Sequence, residues 1–80
     1  MLVIGAQIRA ARGLVGMKQT ELADKASLQV STIKDMEARG DQPLTKSAFK
    51  TVRAVQLALE AAGVEFTNGD SPGVRLKKAT

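Results

Sequence analysis

The stretch QTELADKASLQVSTIKDME, residues 19–37, contains two short amphipathic segments with a break between them at Ser27. Apolar side chains recur at helical spacing on both sides of the break, which predicts one helix after Met17 and another over Val30–Ala38. Two short helices that cross steeply need a small residue where their backbones meet, and Ala23 stands at that crossing. The side chains predicted to fill the interface are Leu22, Ala26, Leu28, Ile33 and Met36.

Two further helices are predicted, one on each side of this pair. Upstream, apolar residues at helical spacing predict a first helix over residues 3–15, ended by Gly16. Downstream, residues 39–43 (RGDQP) form a predicted loop, in which Gly40 ends the third helix. A fourth helix follows, with Thr45 as its predicted N-cap and Gly63 as its C-terminal glycine. Its predicted inner face carries Phe49, Val52, Val55, Leu59 and Ala62.

The fourth helix also has a second apolar face, on which Leu57 stands with Ala54, Ala58 and Ala61. This face is either further core or a contact with another subunit, and the sequence favours neither. A core of this size is marginally stable alone, so an oligomer is expected.

The C-terminal segment, residues 64–80, changes from helical to alternating periodicity. Two alternating runs, residues 64–66 and 74–77, flank TNGDSPG, which is rich in turn-forming residues, and this pattern predicts a short β-hairpin. A lone hairpin is marginally stable in water, so it must pack on the fourth helix or pair with a copy of itself. The alternative is a frayed tail. The predicted apolar face of the hairpin consists of Val64, Phe66, Val74 and Leu76.

The composition limits the chain to one small domain and to few kinds of chemistry. Its 80 residues leave no room for a second core. The absence of Cys and His removes disulfides, thiol nucleophiles, imidazole bases and nearly every zinc site. We therefore predict no enzyme activity, no metal and no cofactor. No apolar run approaches the length of a membrane span, and no signal peptide is recognised, so a cytoplasmic protein is expected.

The charge distribution is compatible with nucleic-acid binding. The net charge is +4, and the basic residues are spread along the chain rather than gathered in a tail. Many small proteins are mildly basic, so the charge permits an acidic partner without demonstrating one.

The central pattern resembles a known DNA-binding motif. Q-x-x-L-A-x-x-A over residues 19–26 continues into Ile33, Met36 and Glu37 at the spacing found in the helix-turn-helix of the Cro and phage-repressor (XRE-like) family of transcriptional regulators. IRAARGLVGMKQ, residues 8–19, is similar to the first helix of that family and the link to its second. TVRAVQLALEAAGVEF and the later PGVRLKK resemble the ends of a subgroup of small bacterial regulators, so the resemblance covers nearly the whole chain.

The resemblance implies that the third helix enters the major groove of double-stranded DNA. Phosphate contacts then set affinity and register, while base contacts set sequence preference. The resemblance also implies a structural ion pair between Arg12, late in the first helix, and Glu37 at the end of the third. The residues that it places against base edges are Gln29, Val30, Ser31 and Asp35. Those that it places at the DNA backbone are Lys18, Gln19, Thr32, Lys34, Arg39 and Lys46.

We therefore expect a mostly α fold, with a compact four-helix, repressor-like DNA-binding domain over residues 1–63 and a short C-terminal β-hairpin over residues 64–80. The expected function is a sequence-specific transcriptional regulator, by resemblance a repressor. It acts as a homodimer on an inverted repeat, because one reading helix covers about half a site. The hairpin has more apolar surface than one helix need cover. Dimerisation is accordingly predicted through Leu57, Val64, Phe66, Val74 and Leu76.

Four positions depart from the family pattern. Ser27 replaces the usual turn glycine, whose φ is often positive, and is expected to cost about 1 kcal/mol. Gln29 stands where Ser or Thr often caps the reading helix, so a weaker cap is expected. Val30 takes a position often filled by a polar reader, and Asp35 can accept a hydrogen bond from a cytosine amine.

Two alternative interpretations stay open at this point. One is a helical hairpin over residues 19–37 that is packed only for stability. The other is a protein-interaction module with the same fold, such as an antitoxin that binds a toxin as well as its own operator. An antitoxin belongs partly to both classes. Salt-dependent binding to operator DNA separates a DNA-binding protein from a module that binds only protein, because the neutralisation of several phosphates makes affinity fall steeply with salt.

Overall fold

The chain folds as four helices followed by an antiparallel pair of strands in a computed structural model, which describes residues 1–45, 47–68 and 71–77. The predicted mostly α fold with a C-terminal hairpin is confirmed, and the third helix has the predicted bounds. The elements are α1 (Gly5–Val15), α2 (Gln19–Lys25), α3 (Val30–Ala38), α4 (Phe49–Ala61), β1 (Val64–Thr67) and β2 (Gly73–Leu76).

One core of aliphatic and methionine side chains joins the helices and the hairpin. Ala23 is buried on α2, which packs against both α3 and α4. Tight contact of this kind is stabilising because each buried methylene group contributes about 0.8 kcal/mol. The largest fully buried side chains are Ile8, Leu22, Ile33, Val55, Leu59 and Val64.

A buried glutamine defines the start of α1. The side-chain oxygen of Gln7 accepts hydrogen bonds from the backbone N–H groups of Val3 (2.6 Å) and Ile4 (3.1 Å). Its Nε2 donates to the carbonyl oxygen of Gly73 in β2, at 3.0 Å. These contacts hold Ile4 extended as the N-cap, so α1 begins two residues later than predicted. They also satisfy a polar side chain that is only 2% exposed and attach the hairpin to α1.

The first turn of α1 nearly touches the end of α3. A Cβ atom added to Gly5 would overlap the carbonyl oxygen of Met36 and lie 3.1 Å from its carbonyl carbon. Beside this contact, the N–H of Ala6 donates to the carbonyl oxygen of Gly40, at 2.7 Å. The two backbones can approach this closely only because Gly5 has no side chain.

The helix ends fall at the predicted glycines. Gly16 is the C-cap of α1, and Gly40 and Gly63 directly follow the C-caps of α3 and α4. All three have a positive φ, as the common left-handed end of a helix requires.

The prediction that Thr45 caps α4 is wrong, because the helix begins later. Its N-cap is Ala48, which has no side-chain cap hydrogen bond. Leu44 is buried in the core, and its N–H donates to the carbonyl oxygen of Val3 at 2.9 Å. This anchoring draws the chain inward, and the N–H of Ser47 donates to the carbonyl oxygen of Leu44 at 3.1 Å before the helix starts.

The predicted inner face of α4 is also partly wrong. Val55 and Leu59 are fully buried and thereby set the rotation of the helix about its axis. In that rotation Phe49 is 71% exposed and Ala62 is exposed as well. Side-chain spacing placed both residues on the core face, but neither contributes to the core.

The hairpin packs on α1 and α4. Its register pairs Val64 with Leu76, Glu65 with Arg75 and Phe66 with Val74, so the predicted apolar alternation is confirmed. On the opposite face Arg75 donates to Glu65 at 2.6 Å. The predicted turn between the strands includes residues 69 and 70, which lie outside the described part of the chain, as do residues 78–80.

The turn between α2 and α3 has the left-handed residue that the motif resemblance implies. Ser27 has a φ of 57° and is the one non-glycine residue with a positive φ among those that the structure describes. Its N–H donates to the carbonyl oxygen of Asp24 at 3.1 Å, and the N–H of Leu28 donates to that of Ala23 at 2.8 Å. The serine therefore holds the turn at the expense of backbone strain.

We expect Ser27→Gly to raise the free energy of unfolding by about 1 kcal/mol, because glycine adopts this φ without strain. Urea denaturation measures the change. Ser31→Gly makes the same substitution at an exposed helical position of α3 and should lower stability instead. Equal effects of the two substitutions would contradict the role of the left-handed turn.

Candidate nucleic-acid interface

The exposed side of α3 carries polar side chains. Ser31, Lys34 and Asp35 are exposed, whereas Ile33 and Met36 face the core. This separation follows from the helical repeat, since residues three and four apart share a face. A strip of small and polar groups is thus presented to solvent along one side of the helix.

The side chain of Gln29, at the N-terminus of α3, does not cap the helix. Gln29 is the N-cap, but it makes no side-chain cap hydrogen bond, as its poor capping ability predicts. The carboxamide of Gln29 is exposed and does not satisfy the helix end. It is therefore available for a partner outside the chain.

Two of the predicted contact residues within α3 are less accessible than the sequence suggests. Val30 is half-buried and packs against the core, and Thr32 is half-buried as well. Val30 lies at the start of α3, where its side chain turns toward the neighbouring core residues. Gln29, Ser31 and Asp35 are the predicted base-reading residues that are exposed.

A cleft of about 560 Å³ lies beside α3, between α1 and the start of α2. Four basic side chains and one acidic side chain border it, so the cleft carries a net positive charge. Lys34 and Ala38 belong both to the cleft and to the exposed side of α3. The residues that line the cleft are Arg9, Arg12, Lys18, Gln19, Lys34, Glu37 and Ala38.

Arg9 was not among the predicted site residues. It is exposed on α1 and lies three residues before Arg12, so both point to the same side of the helix. That spacing is the signal that would have identified it, because the resemblance already assigns a role to Arg12.

The predicted pair of Arg12 and Glu37 is confirmed. Arg12 Nε donates to Oε2 of Glu37 at 2.6 Å, and Nη2 donates to Oε1 at 2.9 Å. Arg12 Nη1 donates to the carbonyl oxygen of Met17 at 3.0 Å. The two side chains are 17% and 6% exposed, so the forked contact ties α1, the α1–α2 link and α3 together in a largely dry site.

The side chain of Gln19 was predicted to contact a phosphate, but it binds Glu37 within the chain. Its Nε2 donates to Oε1 of Glu37 at 3.2 Å, which places its side chain inside the ion-pair network. Gln19 therefore supports the carboxylate of Glu37 and fixes the start of α2 relative to α3.

The pKa of Arg12 is raised above its ordinary value, first by the hydrogen bond to Glu37 and also by the negative charge of that carboxylate, although burial acts in the opposite direction. A raised pKa means that the folded protein holds the proton more tightly than the unfolded chain. The resulting stabilisation is complete below the ordinary pKa of arginine and is lost only in strong base.

The predicted dimerisation residues separate into two groups. Leu57 is 49% exposed and Leu76 is 53% exposed. Val64, by contrast, is 2% exposed and belongs to the core of its own chain, so its predicted role at a subunit contact is wrong. Phe66 and Val74 also pack against that core. Most of the apolar face of the hairpin is packed against α1 and α4 of the same chain.

Arg39 and Lys46 are the remaining residues that were predicted to contact the DNA backbone. Arg39 is half-buried at the C-cap of α3, and Lys46 lies outside the described residues.

Within the described ranges, no group of three His, Cys, Asp or Glu side chains could hold a metal ion. In the same ranges, no helix is long and apolar enough to cross a membrane.

Comparison with known proteins finds no matching family model and no matching curated protein. The function is therefore inferred from the residues of this chain and from their arrangement.

Proposed function

We propose that the chain is a sequence-specific DNA-binding protein, a transcriptional regulator of the repressor type that reads the major groove with α3. The observation that carries this proposal is the continuity between the exposed polar side of α3 and the basic cleft beside it. A reading surface needs short polar groups for base edges and positive charge for the flanking phosphates.

The proposed base contacts come from Gln29, Ser31 and Asp35. An exposed carboxamide such as that of Gln29 can bind N6 and N7 of adenine together, and a carboxylate such as that of Asp35 accepts a hydrogen bond from N4 of cytosine. Val30 offers an apolar contact, for which the thymine methyl group is the matching partner. These chemistries favour a half-site that contains adenine and cytosine.

The proposed phosphate contacts come from Lys18, Lys34 and Arg9, which border the same cleft. Arg12 borders it too, but its guanidinium group is already bound to Glu37 and Met17. We assign Arg12 the structural role and Arg9 the phosphate contact. Each such contact releases counterions from DNA and so adds to the salt dependence of binding.

Strong specific binding by a single reading helix requires two copies, about 34 Å apart on the DNA. The proposed active form is therefore a homodimer on an inverted repeat. We further propose a cytoplasmic regulator that needs no cofactor and has no enzyme activity.

Selection of bound duplexes from a random pool, followed by titration of the selected site at several salt concentrations, tests the proposal. The expected result is an inverted repeat and an affinity that falls steeply with salt. Arg9→Ala should weaken binding to all sequences and reduce the salt slope of the dimer by about 2, because it removes one phosphate contact from each subunit. Lys25→Ala removes the same charge from an exposed position outside the cleft and should leave the slope unchanged.

Asp35→Asn separates base contacts from phosphate contacts. It should change the preferred base at one position of each half-site while the salt slope increases or stays the same. Failure to select any sequence, together with binding that does not respond to salt, would contradict DNA recognition. A stable complex with a toxin or another protein, without such a slope, would indicate the interaction module instead.

A further inference from the structure

The outer face of α4 carries a stripe of exposed side chains that the fold does not use. Phe49 is 71% exposed and Leu57 is 49% exposed. Arg53 and Glu60 are exposed on the same side of the helix, since these positions follow one another at intervals of three or four residues. Two large apolar groups and two opposite charges therefore lie along one line.

The two charges in this stripe have opposite signs and lie toward opposite ends of α4. Arg53 and Glu60 are seven residues apart, which corresponds to about 10 Å along a helix, too far for a salt bridge between them. Oε2 of Glu60 accepts a hydrogen bond from Gln56 at 3.2 Å, which leaves Oε1 for another partner. Neither charge forms a salt bridge to another described residue. The stripe is thus basic toward one end, acidic toward the other and apolar between them.

We propose that this face binds the same face of a second copy of the chain, with the two α4 helices antiparallel about a two-fold axis. In this arrangement Arg53 lies opposite Glu60 of the partner subunit, and the reciprocal pair forms at the other end. Leu57 packs near the axis. Phe49 reaches the far end of the partner helix, where Ala61 is small and exposed in each copy.

The charge order supports a second copy as the occupant. A two-fold contact uses the same patch on both subunits and therefore has to be complementary to itself. The stripe has this property in the antiparallel orientation, whereas a parallel orientation would bring Arg53 of the two chains together. The hairpin is the weaker candidate, since Val64, Phe66 and Val74 pack against the core of their own chain.

This pairing deepens the proposed function, because it supplies the homodimer that an inverted repeat requires, yet it can be measured without DNA. Sedimentation equilibrium of the full chain should show a monomer–dimer equilibrium. Arg53→Glu and Glu60→Arg should each raise the dissociation constant at least about tenfold, because like charges then face each other. Circular dichroism melts establish that each variant remains folded.

Charge exchange provides the decisive comparison. An equimolar mixture of the two single variants should form a heterodimer, because both contacts in it again join opposite charges. The double variant Arg53→Glu/Glu60→Arg should recover the homodimer for the same reason. Arg9→Glu makes an equal change of net charge on α1, away from this face, and should leave the association constant unchanged.

Several outcomes would overturn the pairing. They are a wild-type chain that is monomeric up to millimolar concentration, single variants that associate normally, and a mixture that stays monomeric. Loss of the dimer in Leu76→Ser alone would place the contact at the hairpin instead. A wild-type dimer that fails to bind DNA would overturn the proposed function and leave the pairing intact. A monomer that binds DNA would overturn the pairing and leave DNA recognition by α3 intact.

Discussion

Gly5→Ala should lower the free energy of unfolding by about 3 kcal/mol or more, the upper range for overpacking a rigid site. The added methyl group would overlap the carbonyl oxygen of Met36, which belongs to the backbone of α3 and cannot turn aside. Relief of this overlap requires α1 to move away from α3, which would weaken the hydrogen bond from Ala6 to Gly40. A small domain has little stability in reserve, so the variant is expected to be largely unfolded at moderate temperature.

Gly13→Ala provides the matched control for this effect. Gly13 lies in the same helix, but a Cβ atom there would meet nothing within 4 Å. Because alanine is the better helix former, this variant should gain about 1 kcal/mol. Urea denaturation of the two variants measures both changes. Similar effects of the two substitutions would show that α1 and α3 do not approach as closely as described.

Glu37→Ala should lower the free energy of unfolding by about 3–5 kcal/mol, because it leaves a buried charge without its partner. Arg12 loses both of its carboxylate contacts, and Gln19 loses its acceptor. The loss removes the side-chain link between α1 and α3 and the support for the start of α2. Thermal and urea denaturation measure the destabilisation.

Two related variants separate the parts of this network. Glu37→Gln keeps the shape and one acceptor oxygen, so it should be less destabilising than Glu37→Ala. The double variant Arg12→Ala/Glu37→Ala should cost less than the sum of its single variants, because neither charge is then left alone. An unchanged melting temperature in Glu37→Ala, combined with loss of DNA binding, would instead assign Glu37 to the interface.

Local signals in the sequence were sufficient for the helix-turn-helix segment. The spacing of Ile33 and Met36 predicted the bounds of α3, and the turn glycine that the family motif usually has at this position predicted the left-handed φ of Ser27. The resemblance to a known motif predicted the pair of Arg12 and Glu37. Each of these features depends on a short pattern or on one pair of positions, and so it can be recognised without coordinates.

Features that depend on long-range packing were missed. The capping rule predicted that Thr45 starts α4, but the burial of Leu44 delayed the helix to Phe49. The apolar character of Phe49 suggested the core, but the rotation of α4 places it in solvent. A rule that considers only neighbouring positions in the sequence cannot determine which of several distant side chains is buried in the core.

The sequence by itself determined the order and type of the elements, because helical and alternating periodicities and terminal glycines act within a few residues. Only the tertiary structure decided that Gly5 meets the backbone of Met36, that Gln7 binds Gly73, and that Arg9 joins the basic cleft. These contacts depend on where helices cross and how each is rotated. Crossing and rotation result from many weak packing interactions summed over the whole core, and no short pattern encodes that sum.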